Sequence, residues 1–477
     1  AAATWQQDEM LLFYSIVTRA RRSLTLSYPS VSAAGQPLFP SPYVTAIRDL
    51  FYRPAIVPAG QIDLDPVPRR DRVLSRADLR LAATDELHSN RPGLFRAMAE
   101  MPSLAAPARG ILAAAEMDAS RFEQHGFTPF EGLLQHAPTI ARLAEKYSVN
   151  HQFSATQLER YATCPFRFLL SDVLDLEPHD PIEPEIDPRR RGLALHNVLA
   201  ALYRQPEGPR SSLQPAPTAL IESLRMLVAE EFAVASEVPA YERALQAAEL
   251  EFAERFVELY SRQCEDYVTA VGEGWDELPS PRFVELAFGD APNSGEPAAL
   301  APPRHPYVTF GPADSPVRVR GRIDRIDVGR RGGRDVFSVI DYKTRWAPRY
   351  QLADIERGLA LQLAIYASAA RRSGALGPDA SLFQMAYWTL TLAGCVVGLK
   401  GKSKSLEMLD PQLVEEIERA LHEVVPQIAE RLRGGQFPVI NADRECGKLC
   451  PYSTVCRVGQ VRSLETEHQK LWSLSPR

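Results

Sequence analysis

The chain has 477 residues, 45% hydrophobic and 24% charged, with a formal net charge of -6. These values describe a soluble globular protein long enough for two to four domains, and they exclude a generally basic nucleic-acid coat, though not a local basic groove. No stretch approaches twenty uninterrupted apolar residues and no basic segment leads into an apolar run, so neither a membrane span nor a secretory signal is visible; a cytoplasmic location is expected, where clustered thiols more often bind metal than pair.

Residues 1–52 contain "DEMLLFYSIVTRARRSLTLSYP", which combines an amphipathic helical pattern, a Thr-Arg-Ala-Arg turn and a short alternating strand, Leu24 to Tyr28. The segment reads as the tail of a domain. Residues 53–150 carry scattered proline, charge and short helical patterns without a chemical motif, and form a connecting region. A new unit, 151–477, opens on "SATQLERYATCPFRFLL", with helical periodicity behind Ser154 as N-cap. A helix from Arg191 to Tyr203 follows, then a long one through "ERALQAAELEFAERFVELYSRQCEDYV". Gly289 to Pro306 is rich in Pro, Ala and Gly and reads as a loop. "VRVRGRIDRIDV" and "DVFSVIDYK" read as strands joined by a turn at "GRRGG", and helices are expected around 352–372 and 411–433. The fold class is therefore α/β, a small mixed sheet with a helical periphery.

Asp341 and Lys343 are separated by one residue at the end of a strand, so both leave the same face of the pleat. Asp324, on the neighbouring strand, can reach the same place. Two carboxylates suit a hard cation such as Mg2+, and a lysine beside it can orient or deprotonate an attacking water. Alone, a D-x-K pair is more often a solvated ion pair. His196 lies on a helix where Leu193, His196, Asn197 and Ala200 share one face, which lets the imidazole project into such a site. Gln362 and Tyr366 are spaced i, i+4 and suggest phosphate contacts. Between Arg318 and Arg349 there are ten Lys or Arg and four Asp, a local excess of +6 that suits a polyanion. Asp327 is out of phase with Asp324 and reads as structural. Among the six cysteines, Cys446, Cys450 and Cys456 cluster in "ECGKLCPYSTVCR", three thiols that need a fourth ligand to close a metal site. Cys264 and Cys395 read as buried packing residues.

The order His196, "GRIDRID" with Asp324, "VIDYKT" with Asp341 and Lys343, and "QLAIYA" with Gln362 and Tyr366 resembles the RecB-like branch of the PD-(D/E)xK nucleases, over roughly residues 151–460. The resemblance implies a restriction-endonuclease-like core. It implies that His196, Asp324 and Asp341 ligate Mg2+ or Mn2+, that Lys343 assists the nucleophilic water, and that Gln362 and Tyr366 complete the site near the DNA backbone. "YATCPFRFLL" supplies Cys164, and AddB-type members of this branch carry one such upstream cysteine with three downstream. By that resemblance Cys164, Cys446, Cys450 and Cys456 hold a [4Fe-4S] cluster that staples the domain's ends together. The family usually spaces the last three C-x2-C-x5-C, whereas this sequence has C-x3-C-x5-C; four thiolates also suit zinc.

"LLFYSIVTRARRSLTLSY" is similar to the last motif of UvrD-like superfamily 1 helicases, in which an arginine at the position of Arg19 approaches the nucleotide γ-phosphate. The chain contains no G-x-x-x-x-G-K-[ST] segment, so it reads as the C-terminal part of a helicase-nuclease polypeptide. The expected function is metal-dependent DNA cleavage, of the exonuclease kind, in a complex that processes double-strand breaks with an AddA-like partner subunit. The alternatives are a catalytically silent DNA-binding scaffold and a CRISPR-type RecB-like exonuclease.

Overall fold

Two adjoining strands, one of them buried from its third to its ninth residue, organise the part of the molecule that matters most for chemistry. The computed structural model describes residues 2–30, 32, 36–51, 67–89, 91–123, 129–177, 188–204, 217–233, 238–290, 306–344, 347–390, 394–399, 406–442, 446 and 450–456. Most of the loop expected at Gly289 to Pro306 lies outside them. The chain divides into two compact units, Ala1–Ala115 and Glu116–Arg477.

The first unit contains α1 (Ala2–Val17), α2 (Pro42–Phe51), α3 (Arg76–His88), α4 (Gly93–Glu100) and the start of α5 (Ala105–Glu123), within which the division falls. Its small core gathers Ala83, Phe95, Met98, Leu104 and Ala108. Ser75 caps α3 by accepting the Asp78 N–H, satisfying one of the amides a helix start leaves open. Two expectations fail here. The helix α1 is apolar on several sides rather than amphipathic, with Met10, Leu11, Leu12, Tyr14 and Ile16 all exposed. Leu24 to Tyr28 lies in neither helix nor strand, because an alternating segment becomes a strand only where a neighbour supplies the hydrogen-bond ladder.

The second unit runs α6 (Ala137–Lys146), β1 (Gln152–Ser154), α7 (Ala155–Thr163), α8 (Pro165–Phe168), α9 (Pro188–Arg204), α10 (Pro217–Glu231), α11 (Ala240–Val271), β2 (Glu277–Phe288), β3 (Val308–Phe310), β4 (Val317–Arg331), β5 (Arg334–Lys343), α12 (Leu352–Glu356), α13 (Gln362–Arg372), β6 (Ser381–Thr389), β7 (Gly394–Val397) and α14 (Pro411–Arg433). The seven-stranded mixed sheet has the order β1-β4-β5-β6-β7, with β2 and β3 also paired to β4. The hairpin β4–β5 is antiparallel, while β5 and β6 are parallel, joined across α12 and α13. The single helix expected over 352–372 is broken between α12 and α13, where Gly358 adopts a φ of 76°.

Each face of the sheet carries its own core. Val336, Ile340 and Tyr342 of β5 pack with α9, α10 and α11. Phe337 and Val339 pack with α7, α13 and α14 on the other side. The helix α13 is buried from Leu363 to Ala370, which makes it the central helix of that layer. No helix among the described residues is long and apolar enough to cross a membrane.

Candidate active site

The pleat that puts Ile340 and Tyr342 against α9–α11 turns Asp341 and Lys343 toward α13. Lys343 Nζ lies 2.7 Å from Asp341 Oδ2. Gln362, the first residue of α13, donates from Nε2 to Asp341 Oδ1 at 2.7 Å and accepts from Lys343 Nζ at 3.1 Å. Its Nε2 is also 3.2 Å from the Tyr366 hydroxyl, one helical turn on. Gln362 thus binds both members of the Asp341–Lys343 pair, and Tyr366 is buried behind it, rather than either being free for phosphate.

Asp324 Oδ2 accepts the Tyr342 N–H at 2.8 Å across the hairpin. His196 Nδ1 stands 3.6 Å from the same oxygen, too far for a hydrogen bond, and its ring meets the edge of Tyr342 at 5.5 Å. Along the row of α9 that carries His196, Leu193 is 63% exposed, Asn197 donates to Glu231 and Ala200 is buried, while the main core contacts are Leu195, Val198, Leu199 and Leu202. His196 therefore sits at the boundary of core and solvent, where an imidazole can serve a site.

Glu285 joins this group without having been singled out from the sequence. Ligand atoms of His196, Glu285 and Asp324 all lie within 4.8 Å of one another. The pairs Val284–Arg325 and Leu286–Ile323 put Glu285 across from Asp324, while Glu285 itself adopts a φ of 53°. A left-handed non-glycine residue costs on the order of 1–3 kcal/mol and is retained where the surroundings impose it. Arg322 lies 3.2 Å from its Oε2. The available signal was a lone acid inside the apolar run "FVELAF".

Burial, followed by the charges of Asp341 and Glu285, holds Asp324 well above the usual carboxylate range. Burial also lowers His196, outweighing the same two acids, so its imidazole is neutral. Burial works against the charge of Lys343, yet Asp341 outweighs it and the ammonium is held more firmly than usual. Crowded carboxylates beside a neutral imidazole make a donor set for a cation, because a positive ion relieves their mutual repulsion. A further acid, Glu159 on α7, accepts the N–H groups of Leu361 and Gln362 at 2.6 and 2.7 Å. Burial pushes it up to about 7. Its place was hidden in sequence because its partners lie 202 and 203 residues away.

A separate cavity is lined by Cys164, Cys446, Cys450 and Cys456. Cys164 ends α7 and accepts the Arg167 N–H at 3.4 Å. Burial pushes its thiol up to about 12, and the other three thiols add to the shift. Cys264 and Cys395 instead pack in the α9–α11 core. Arg19 lies in the turn after α1, exposed, in the first unit.

The sequence profile of the PD-(D/E)XK nuclease superfamily matches residues 152–457, the stretch that carries this geometry. An ATP-dependent helicase/deoxyribonuclease subunit of Moorella thermoacetica is 30% identical over 376 residues, 76% of this chain and 29% of the relative. The protein of the same name from Caldanaerobacter subterraneus subsp. tengcongensis is 21% identical over 98% of this chain and 43% of its own length. That of Desulforamulus reducens is 27% identical over 76% and 30%. The chain thus spans less than half the length of these relatives.

Proposed function

The chain belongs to the PD-(D/E)XK nuclease superfamily, and from that premise we propose that it is the nuclease part of a helicase-nuclease polypeptide, a metal-dependent deoxyribonuclease with exonuclease action at processed double-strand breaks. The observation that carries this reading is the Asp341–Lys343–Gln362 clamp facing His196, Glu285 and Asp324. His196, Asp324 and Asp341, with Glu285 beside them, would hold Mg2+ or Mn2+, whose Lewis acidity stabilises charge on a phosphodiester and its attacking water.

The protein's own groups divide the remaining work. Lys343, held 2.7 Å from Asp341, would assist the nucleophilic water and favour developing negative charge. Gln362 fixes the separation of Asp341 and Lys343. The Tyr342 N–H fixes the Asp324 carboxylate. A neutral His196 offers a nitrogen lone pair without adding positive charge.

Cys164, Cys446, Cys450 and Cys456 would hold a [4Fe-4S] cluster. Four thiolates also suit a single zinc ion, and iron and zinc analysis of the purified protein separates the two. The names of the relatives support a DNA substrate and a further subunit of an ATP-dependent complex, an AddA-like partner. On the resemblance of "LLFYSIVTRARRSLTLSY" alone, residues 1–52 would be the end of a superfamily 1 helicase-like domain, with Arg19 as its remnant nucleotide contact.

Asp341→Ala and Lys343→Ala test the site. Each should abolish cleavage of duplex DNA while leaving DNA affinity and the melting curve nearly unchanged. Retained cleavage in both would remove the assigned site.

A further inference from the structure

We propose that Glu159 is a positioning residue of the nuclease site, acting through the first turn of α13. The inference rests on the reading that Asp341 and Lys343 perform cleavage. Helix α13 has no side-chain cap of its own, since Leu361 occupies the N-cap. The open amides of such a start need acceptors when they are buried. Glu159 Oε1 provides one for both Leu361 and Gln362, at 2.6 and 2.7 Å, and its carboxylate faces the positive end of the helix. The residue whose backbone is held in this way is the one whose side chain bonds both Asp341 and Lys343.

The helix α7 is itself well anchored. A capping box at Ser154 and Gln157 fixes its start, Tyr161 donates to the Gln436 carbonyl at 2.6 Å, and Ala442 donates to the Thr163 carbonyl at 3.0 Å. Glu159 therefore projects from a rigid support onto the turn that sets the clamp. A displacement of about 1 Å at a reacting group can cost about 100-fold in rate, so a support of this kind acts on turnover more than on substrate affinity.

The test uses the full-length polypeptide with any subunit that co-purifies. Glu159→Met keeps the volume and removes the acceptor, while Glu159→Gln keeps an acceptor oxygen. In Mg2+, Glu159→Met should slow single-turnover cleavage of end-labelled duplex DNA by about 10- to 100-fold, with DNA affinity within about twofold, and Glu159→Gln should restore most of the rate. Wild-type cleavage by Glu159→Met overturns the proposal, as does a rate loss matched by equal losses of melting temperature and DNA affinity. Should Glu159→Met not fold, hydrogen exchange in the wild type decides. The Leu361 and Gln362 amides should be protected although they begin a helix, and rapid exchange of both would overturn the assignment. If Asp341→Ala also cuts, the nuclease reading itself fails; if Asp341→Ala is inactive and Glu159→Met is normal, only the positioning role fails.

Discussion

Three positions separate Asp324 from Asp327 on β4, and the pleat sends them to opposite faces. Asp324 joins His196 and Glu285, whereas Asp327 forms a fully buried bidentate pair with Arg325 at 2.6 and 2.7 Å. The Arg325 guanidinium lies 4.8 Å from the Trp388 ring centre and 5.2 Å from that of Tyr203. Removing the acid leaves an uncompensated charge in an aromatic enclosure. Asp327→Ala should therefore lose about 3–5 kcal/mol of unfolding free energy in a denaturant titration; a loss below about 1 kcal/mol would contradict the structural role. The opposite facing of the two acids was legible from strand phase alone. His196, Asp324, Asp341, Lys343 and Gln362 were legible as an ordered set. Glu285 was not, because a lone acid in the apolar run "FVELAF" is assigned a face only once β2 pairs with β4, and Glu159 was not, because nothing local indicates an acceptor for amides so distant in the chain.

At the scale of elements, periodicity located the hairpin β4–β5, the long α11 and α14 with small differences in their ends. It failed where structure depends on a partner, as for the expected strand at Leu24 to Tyr28. Gly321 shows how closely two strands and α13 meet: a Cβ there would lie 2.7 Å from Phe288 Cζ and 3.1 Å from Tyr366 Cε1. The element most exposed to loss of the thiol centre is α7, which ends at Cys164 and carries Glu159. Cys164→Ala should lower the melting temperature and the iron content together. Wild-type values for both would contradict the four-cysteine assignment.

Over the whole molecule, the second unit assembles its site from elements spread along the chain: His196 from α9, Glu285 from β2, Asp324 from β4, Asp341 and Lys343 from β5, and Gln362 from α13. Such a site exists only when the sheet is closed against both helical layers, which couples folding to chemistry. The measurement that tests the central claim most directly is single-turnover cleavage of end-labelled duplex DNA by the full-length polypeptide, with any subunit that co-purifies, in Mg2+, in Mn2+ and in EDTA. The account predicts cleavage with either metal and none in EDTA. Undiminished cleavage in EDTA, or bound DNA left intact with both metals, would contradict it.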